Sequence, residues 1–289
     1  MMIYTIQNEF LKLAVKSLGA EMTSLFHIPQ HLEYLWQGNP VIWSGQAYNL
    51  FPIVCALAND QFSLKGQVYS LPKHGFARKM EFDLISQTSE RLTFLLNDTQ
   101  ETMKMYPFHF QLYITYALRD NILTHHYKVQ NTNSEEMYFS IGGHPAFNLA
   151  VFEGESIEDY RIEFEQEEKV SRLVDKRGFL KEHTLYMDNE KIIPIKPDTF
   201  NDDALVFGGL SSENVYIKNT RGNYKVRVGI KEFPYLGLWA KPAASYVCIE
   251  PWQGIPDAPE GYKDLSQKKG ILMLSPMQTW EGQFSIEIG

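Results

Sequence analysis

Apolar and polar residues alternate along much of this chain, and the alternation predicts β-strands. In "FQLYITYAL", Phe110, Leu112, Ile114, Tyr116 and Leu118 fall on one side, and Gln111, Tyr113, Thr115 and Ala117 on the other. "RDN" at 119–121 supplies a turn, and "ILTHHYKVQ" from residue 122 reads as the returning strand. "YRIEFEQ" (160–166), "YKVRVGI" (224–230) and "FSIEIG" (284–289) repeat the pattern, with turn signals "NTNSEE" (131–136) and "RGN" (221–223) between them. Helical periodicity is weak, and its best short candidate is "DDALVFGGL" at 202–210. Internal repeats and low-complexity linkers are not evident. The pattern predicts an all-β protein, one large antiparallel domain over residues 1–289, with two sheets packed as a β-sandwich. Such a sheet offers a concave face or a loop edge to a ligand.

Composition fits this picture and narrows the partners. Eighteen Phe and sixteen Tyr suit strand faces. Thirty-five Asp and Glu against 27 Lys and Arg give a net charge of −8. That excess argues against a nucleic-acid or anionic-membrane surface, which needs a basic patch, but leaves room for a small anionic ligand. No apolar run approaches the ~18 residues of a membrane-spanning helix, and the N-terminal stretch lacks the pattern of a signal peptide. A cytoplasmic location is expected. Cys55 and Cys248 form no CxxC pair, so a metal or redox motif is not signalled and two reduced core thiols are expected. The segment from Glu153 to Glu168 carries eight carboxylates, which read as a solvated strand face or, less simply, as a cation site.

Three stretches break the strand pattern with chemistry. In "SIGGHPAFN", His144 follows two glycines and precedes Pro145. The spacing predicts a rigid bend at a strand end holding an imidazole that titrates near neutrality. The alternative is a turn with an incidental histidine. In "LPKHGFAR", His74 precedes a glycine and Arg78 lies four residues on. Arg78 is a forked donor for hydroxyls, carboxylates or phosphate, or else part of a basic surface patch with Lys73 and Lys79. In "YVCIEPWQGIPD", Tyr246, Cys248 and Glu250 alternate with Val247 and Ile249, and Pro251 is expected to end the pairing. A glutamate there is costly to bury unless paired or functional, and partial burial raises its pKa toward the range of proton transfer. Trp252 beside it is placed to stack on a sugar ring. Asp202 and Asp203 precede an apolar run and read as a turn or helix cap or as ligand-binding groups. Trp239 in "GLWAKP" lines a pocket or fills the core. His125 and His126 face opposite ways on a strand and make a poor joint metal site.

Taken together and in order, "GAEMTSL" (19–25), "YLWQGNPVIW" (34–43), "LFPIV" (50–54), "HGFAR", "IGGHPAFN", "DDALVF" and "IEPWQGIPD" resemble the aldose 1-epimerase (mutarotase) family, nearest its LacX-like branch. The resemblance spans nearly the whole chain and implies a galactose mutarotase-like β-sandwich. It implies Glu250 as general base, His144 as general acid, His74 and Asp203 as binders of sugar hydroxyls, and Arg78 as a ligand contact. The implied reaction interconverts the α and β anomers of an aldose by ring opening and closure, with no cofactor and no metal. The partner is then a sugar or sugar phosphate, and the chain a monomer or homodimer. Two departures stand out. Where the galactose-type branch carries an Asn-Arg pair, "YNLFPIVCAL" offers Asn49 and no arginine, and Cys55 stands where a glycine is usual. A glycoside hydrolase using Glu250 and Asp203 as a carboxylate pair, and a sugar-binding protein without turnover, are the rival readings.

Overall fold

The computed structural model describes residues 1–289, apart from the side chains of residues 182 and 183. Strand Phe110–Arg119 pairs antiparallel with Ile122–Asn131 across the expected turn. They lie within a nine-stranded sheet, which runs from Leu180–Pro194 at one edge to Asp83–Gln87 at the other. A five-stranded sheet lies over it in the order Leu205–Gly208, Tyr235–Trp239, Tyr246–Gln253, Ile141–Asn148, Ala47–Leu50. A four-stranded sheet, starting with the antiparallel pair Ile3–Gln7 and Leu11–Lys16, contributes further to the core. The predicted antiparallel all-β architecture is therefore present.

Between the two large sheets the spacing is set by small residues and aromatic rings. A Cβ on Gly143 would lie 2.6 Å from the Phe284 ring, so only glycine lets the smaller sheet approach this closely. Beside it, Asn49 pairs with Gly143 and points the same way, into the core. Its amide donates to the Gly19 and Ala20 carbonyls at 2.9 and 3.0 Å, and its oxygen accepts from the Tyr127 hydroxyl at 2.8 Å. Satisfied on all sides, Asn49 ties three segments together and does not line the cavity where the other candidate residues meet.

Several other local expectations change. His144 sits within a continuous strand and not on a bend; its glycine neighbours serve close packing. Pro251 does not end its strand, since it stays paired with Leu236. It coincides instead with a gap in the other ladder, where Gly143–Pro145 lies opposite Ile249–Pro251 without pairing. Pro145 and Pro251 have no N–H to give there. The helix candidate at 202–210 is a turn followed by strand Leu205–Gly208, because three successive buried residues there need a position inside a sheet. A helix that periodicity did not signal spans Gln100–Met105, started by a Thr99–Thr102 capping box. The acidic segment is only partly a solvated face. Glu168 is 1% exposed and accepts from the Ser211 and Ser212 N–H groups at 3.0 and 2.8 Å. Among the described residues, no helix is long and apolar enough to cross a membrane.

His125 and His126 do face opposite ways: His126 meets Glu281 at the surface, while His125 is buried with neither ring nitrogen partnered. Its ring is enclosed by Tyr116, Tyr127 and Phe284 at centroid distances of 4.5, 4.5 and 4.6 Å. Burial holds its pKa well below the usual 6.5, with His126 adding repulsion. The unfolded chain binds a proton at this residue below pH 6.5 and the folded chain does not. Stability therefore falls with falling pH, by about 1.4 kcal/mol per pH unit from this group. His125→Phe should flatten the fall in melting temperature between about pH 6.5 and pH 5. An unchanged slope would show that His125 is not the source.

Candidate active site

Alternation places the chemistry on the outer face of the five-stranded sheet. Tyr48, His144, Glu250, Trp252, Trp239 and Val206 come from its five strands and all line one cavity of about 190 Å³. Loop 71–78 and the turn between Leu180–Pro194 and its partner strand close the sides, through His74, Arg78 and Gly178. Trp43 arrives from the loop before Ala47 and forms an aromatic wall. It stacks on His144 (5.2 Å, 26°) and Tyr246 (5.5 Å, 23°) and meets Trp239 edge-on at 5.5 Å.

At the gap in the strand ladder, His144 Nε2 lies 3.2 Å from Glu250 Oε2. The residues are 7% and 1% exposed. Burial dominates both groups. It pushes the Glu250 carboxyl well above the usual carboxylate range, opposed by Lys73 and reinforced by Asp203. It drives the His144 imidazole down to about 3, with repulsion from Lys73 and Arg78 adding to the effect. Raising one pKa and lowering the other leaves the pair with one titratable proton over a wide pH range. His144 Nδ1 and Glu250 Oε2 make no hydrogen bond within the protein, so the pair has unspent hydrogen-bonding capacity.

His74 is held by its own backbone. Its N–H donates to the Cys55 carbonyl at 2.8 Å, and its Nδ1 accepts from the Cys55 N–H at 3.1 Å. A neutral imidazole that accepts at Nδ1 carries its proton on Nε2. Burial, with repulsion from His144, Lys73 and Arg78, keeps this ring neutral by moving its pKa well below 6.5. His74 is therefore a fixed neutral donor, 5.6 Å from the His144 ring centroid. Gly75 makes the turn possible: its φ is +68°, and a Cβ there would lie 2.2 Å from the Phe51 carbonyl oxygen. Cys55 also lines the cavity, at φ +59°, with its thiol pushed up to about 12 by burial.

Arg78 is half-buried, spreads over the Tyr48 ring at 5.1 Å, and donates through Nη2 to the Lys73 carbonyl at 3.0 Å. Asp203, at φ +70°, lines the cavity beside Gly178. Of the eight residues singled out from sequence, seven meet here: Glu250, His144, His74, Arg78, Asp203, Trp239 and Trp252. Asn49 does not. Trp43, Tyr48 and Gly178 were missed. The only signal for Trp43 was its place in "YLWQGNPVIW", and Tyr48 adjoins Asn49, the residue chosen from sequence.

Comparison with known proteins gives the family and the fold. The aldose 1-epimerase family model matches residues 2–285. The chain belongs to the aldose 1-epimerase family. It is 32% identical over 298 residues to the plasmid and chromosomal LacX proteins of Lactococcus lactis subsp. lactis, covering 99% of each chain. Among solved structures, a galactose mutarotase related enzyme from Lactobacillus acidophilus superposes with a TM-score of 0.96 at 36% identity. That match covers 100% of this chain and 97% of the other. A galactose mutarotase-like protein from Lactobacillus casei ATCC 334 matches with a TM-score of 0.93 at 28% identity, covering both chains fully. The fold of this epimerase-family chain is thus galactose mutarotase-like.

For this aldose 1-epimerase family member, the His74 geometry gives a spectroscopic expectation. Ring ¹⁵N shifts should report the Nε2–H tautomer, with no titration step near 6.5. A step at that value, or the Nδ1–H tautomer, would contradict the reading of His74 as a fixed donor.

Proposed function

We propose that this chain interconverts the α and β anomers of a hexose or hexose phosphate, with Glu250 and His144 as the proton-transfer pair. The observation that carries the reading is their 3.2 Å approach at the wall of a small buried cavity. Glu250 takes the proton from the C1 hydroxyl while His144 gives one to the ring oxygen. The C1–ring-oxygen bond breaks, leaving the open-chain aldehyde. Rotation about C1–C2 presents the other carbonyl face, and the ring closes with the two proton transfers reversed. Nothing is oxidised or reduced, and the pair ends with the proton count it began with.

The surroundings suit this chemistry. A neutral Nε2–H on His74 is a donor for a sugar hydroxyl, and Asp203 is an acceptor lining the same cavity. Trp43 and Trp239 offer apolar faces to the C–H surface of a pyranose. Exclusion of water strengthens each of these contacts. A carboxylate pair of the glycosidase kind would leave His144 without a task, although it touches Glu250. Cys55 and Cys248 are both free and buried, in keeping with a reducing compartment such as the cytoplasm.

Exchange between anomers, followed by magnetisation-transfer NMR at equilibrium, tests the proposal. Glu250→Gln and His144→Asn should each lower kcat by roughly 10²–10⁴-fold while sugar still binds. The double variant should lose little more than the worse single one, because the two residues act as a unit. Unaltered exchange rates in either variant would remove that residue from the mechanism. Release of a second sugar from a glycoside would favour the hydrolase reading.

A further inference from the structure

Segment 55–60 carries an unusual concentration of left-handed backbone. Cys55, Asn59 and Asp60 have φ of +59°, +58° and +54°. Asn and Asp tolerate that conformation, but a cysteine adopts it at a cost and persists there only where its surroundings fix it. Held so, Cys55 makes both backbone hydrogen bonds to His74. Its N–H donates to Nδ1 at 3.1 Å, and its carbonyl accepts from the His74 N–H at 2.8 Å. The place and tautomer of His74 therefore depend on what fixes segment 55–60.

A buried ion pair does so. Asp257, the last residue of "IEPWQGIPD", and Lys268 are each 3% exposed. Lys268 Nζ donates to Asp257 Oδ1 and to the Ile255 carbonyl, both at 2.7 Å. The remaining polar groups of Asp257 reach two segments that line the cavity. Its Oδ2 accepts from the Ala58 N–H at 3.0 Å, and its own N–H donates to the Ala56 carbonyl at 3.1 Å, next to Cys55. Its carbonyl accepts from the Leu180 N–H at 2.8 Å, two residues beyond Gly178, where a Cβ would lie 2.9 Å from Asp203 Oδ2. A buried ion pair is a weak source of stability, because desolvation offsets most of its attraction. What this one supplies is direction: the ammonium occupies Oδ1, which leaves Oδ2 aimed at Ala58.

We propose that Asp257, fixed by Lys268, is a positioning residue for His74, acting through Ala56, Ala58 and Cys55 to hold the imidazole in one place and one tautomer. Neither Asp257 nor Lys268 lines the cavity, so the pair acts on a ligand only through other residues. Resting on the epimerase reading, it governs how firmly the sugar is held, while Glu250 and His144 carry out the proton transfers.

Asp257→Asn tests the proposal, since one carboxamide oxygen cannot stand in for both carboxylate oxygens. The ¹⁵N spectrum of the His74 ring should change from the single Nε2–H tautomer to a mixture. KM for the sugar should rise about tenfold with kcat falling less than about threefold, because a hydroxyl-binding group acts on the bound sugar and the transition state alike. Leu13→Ala, a core truncation in strand Leu11–Lys16 away from the cavity, lowers stability and should leave both readouts unchanged. A single tautomer or an unchanged KM in Asp257→Asn, or equal shifts in Leu13→Ala, would overturn the proposal. If Asp257→Asn does not fold, Asp257→Leu combined with Lys268→Met removes both charges together and is read in the same way. If neither folds, deuterium exchange in the unaltered protein decides. The Cys55 and Ala58 amides should open together, and an Ala58 amide exchanging much faster than that of Cys55 overturns the link. If no sugar exchanges between anomers faster than its uncatalysed rate, the epimerase reading fails and the tautomer readout alone decides the proposal.

Discussion

A single short approach, His144 to Glu250, organises this molecule. Neither group is comfortable where it sits. A carboxyl and an imidazole, both nearly out of contact with water, each resist charging. Burial favours a neutral carboxyl beside a neutral imidazole, a state that differs from their ion pair by a single proton transfer. That makes the pair suited to a reaction whose forward and reverse halves exchange the donor and acceptor roles.

The sheets exist in the form they do partly to hold that approach. Gly143 lets strand Ile141–Asn148 press onto Phe284, which fixes the height of His144 above the core. Strand Tyr246–Gln253 is anchored on its far side by Tyr235–Trp239 even where its ladder to Ile141–Asn148 lapses. The proposed proton-transfer groups thus stand on strands, while His74, Arg78 and Asp203, which line the same cavity, stand on loops and turns. Strands suit groups that must be placed rigidly, and loops suit groups that select a ligand. The loop carrying His74 is itself tied to Phe51 and Cys55 by backbone hydrogen bonds, so it is not a loose flap.

The alternation of residues made the antiparallel sheets legible, because a strand with one buried face imposes period two on its sequence. It also placed Glu250, Cys248 and Tyr246 on one face correctly. The same rule was not carried across strands, and that is why Asn49 was chosen and Tyr48 overlooked. Facing direction at 48 and 49 is decided by register with Gly143 and His144, which pairs residues nearly a hundred positions apart. Trp43 escaped for a related reason: its stack on His144 is a contact between a loop and a strand, with no local pattern to announce it. Pro145 and Pro251 read as strand breakers because proline removes a hydrogen bond. Here the two prolines lie within the one stretch where the ladder between their strands is already open. Glu168 looked solvated because its neighbours are, but a turn at Ser211 and Ser212 folds over it.

The protonation of the pair can be examined directly by titrating a ¹³C-labelled Glu250 carboxyl and the ¹⁵N-labelled His144 ring in the same NMR sample. The account predicts no carboxyl step near 4.5 and no imidazole step near 6.5, because burial moves the first up and the second down. Two independent steps at those ordinary values would contradict it, since the groups would then behave as separate, solvated side chains.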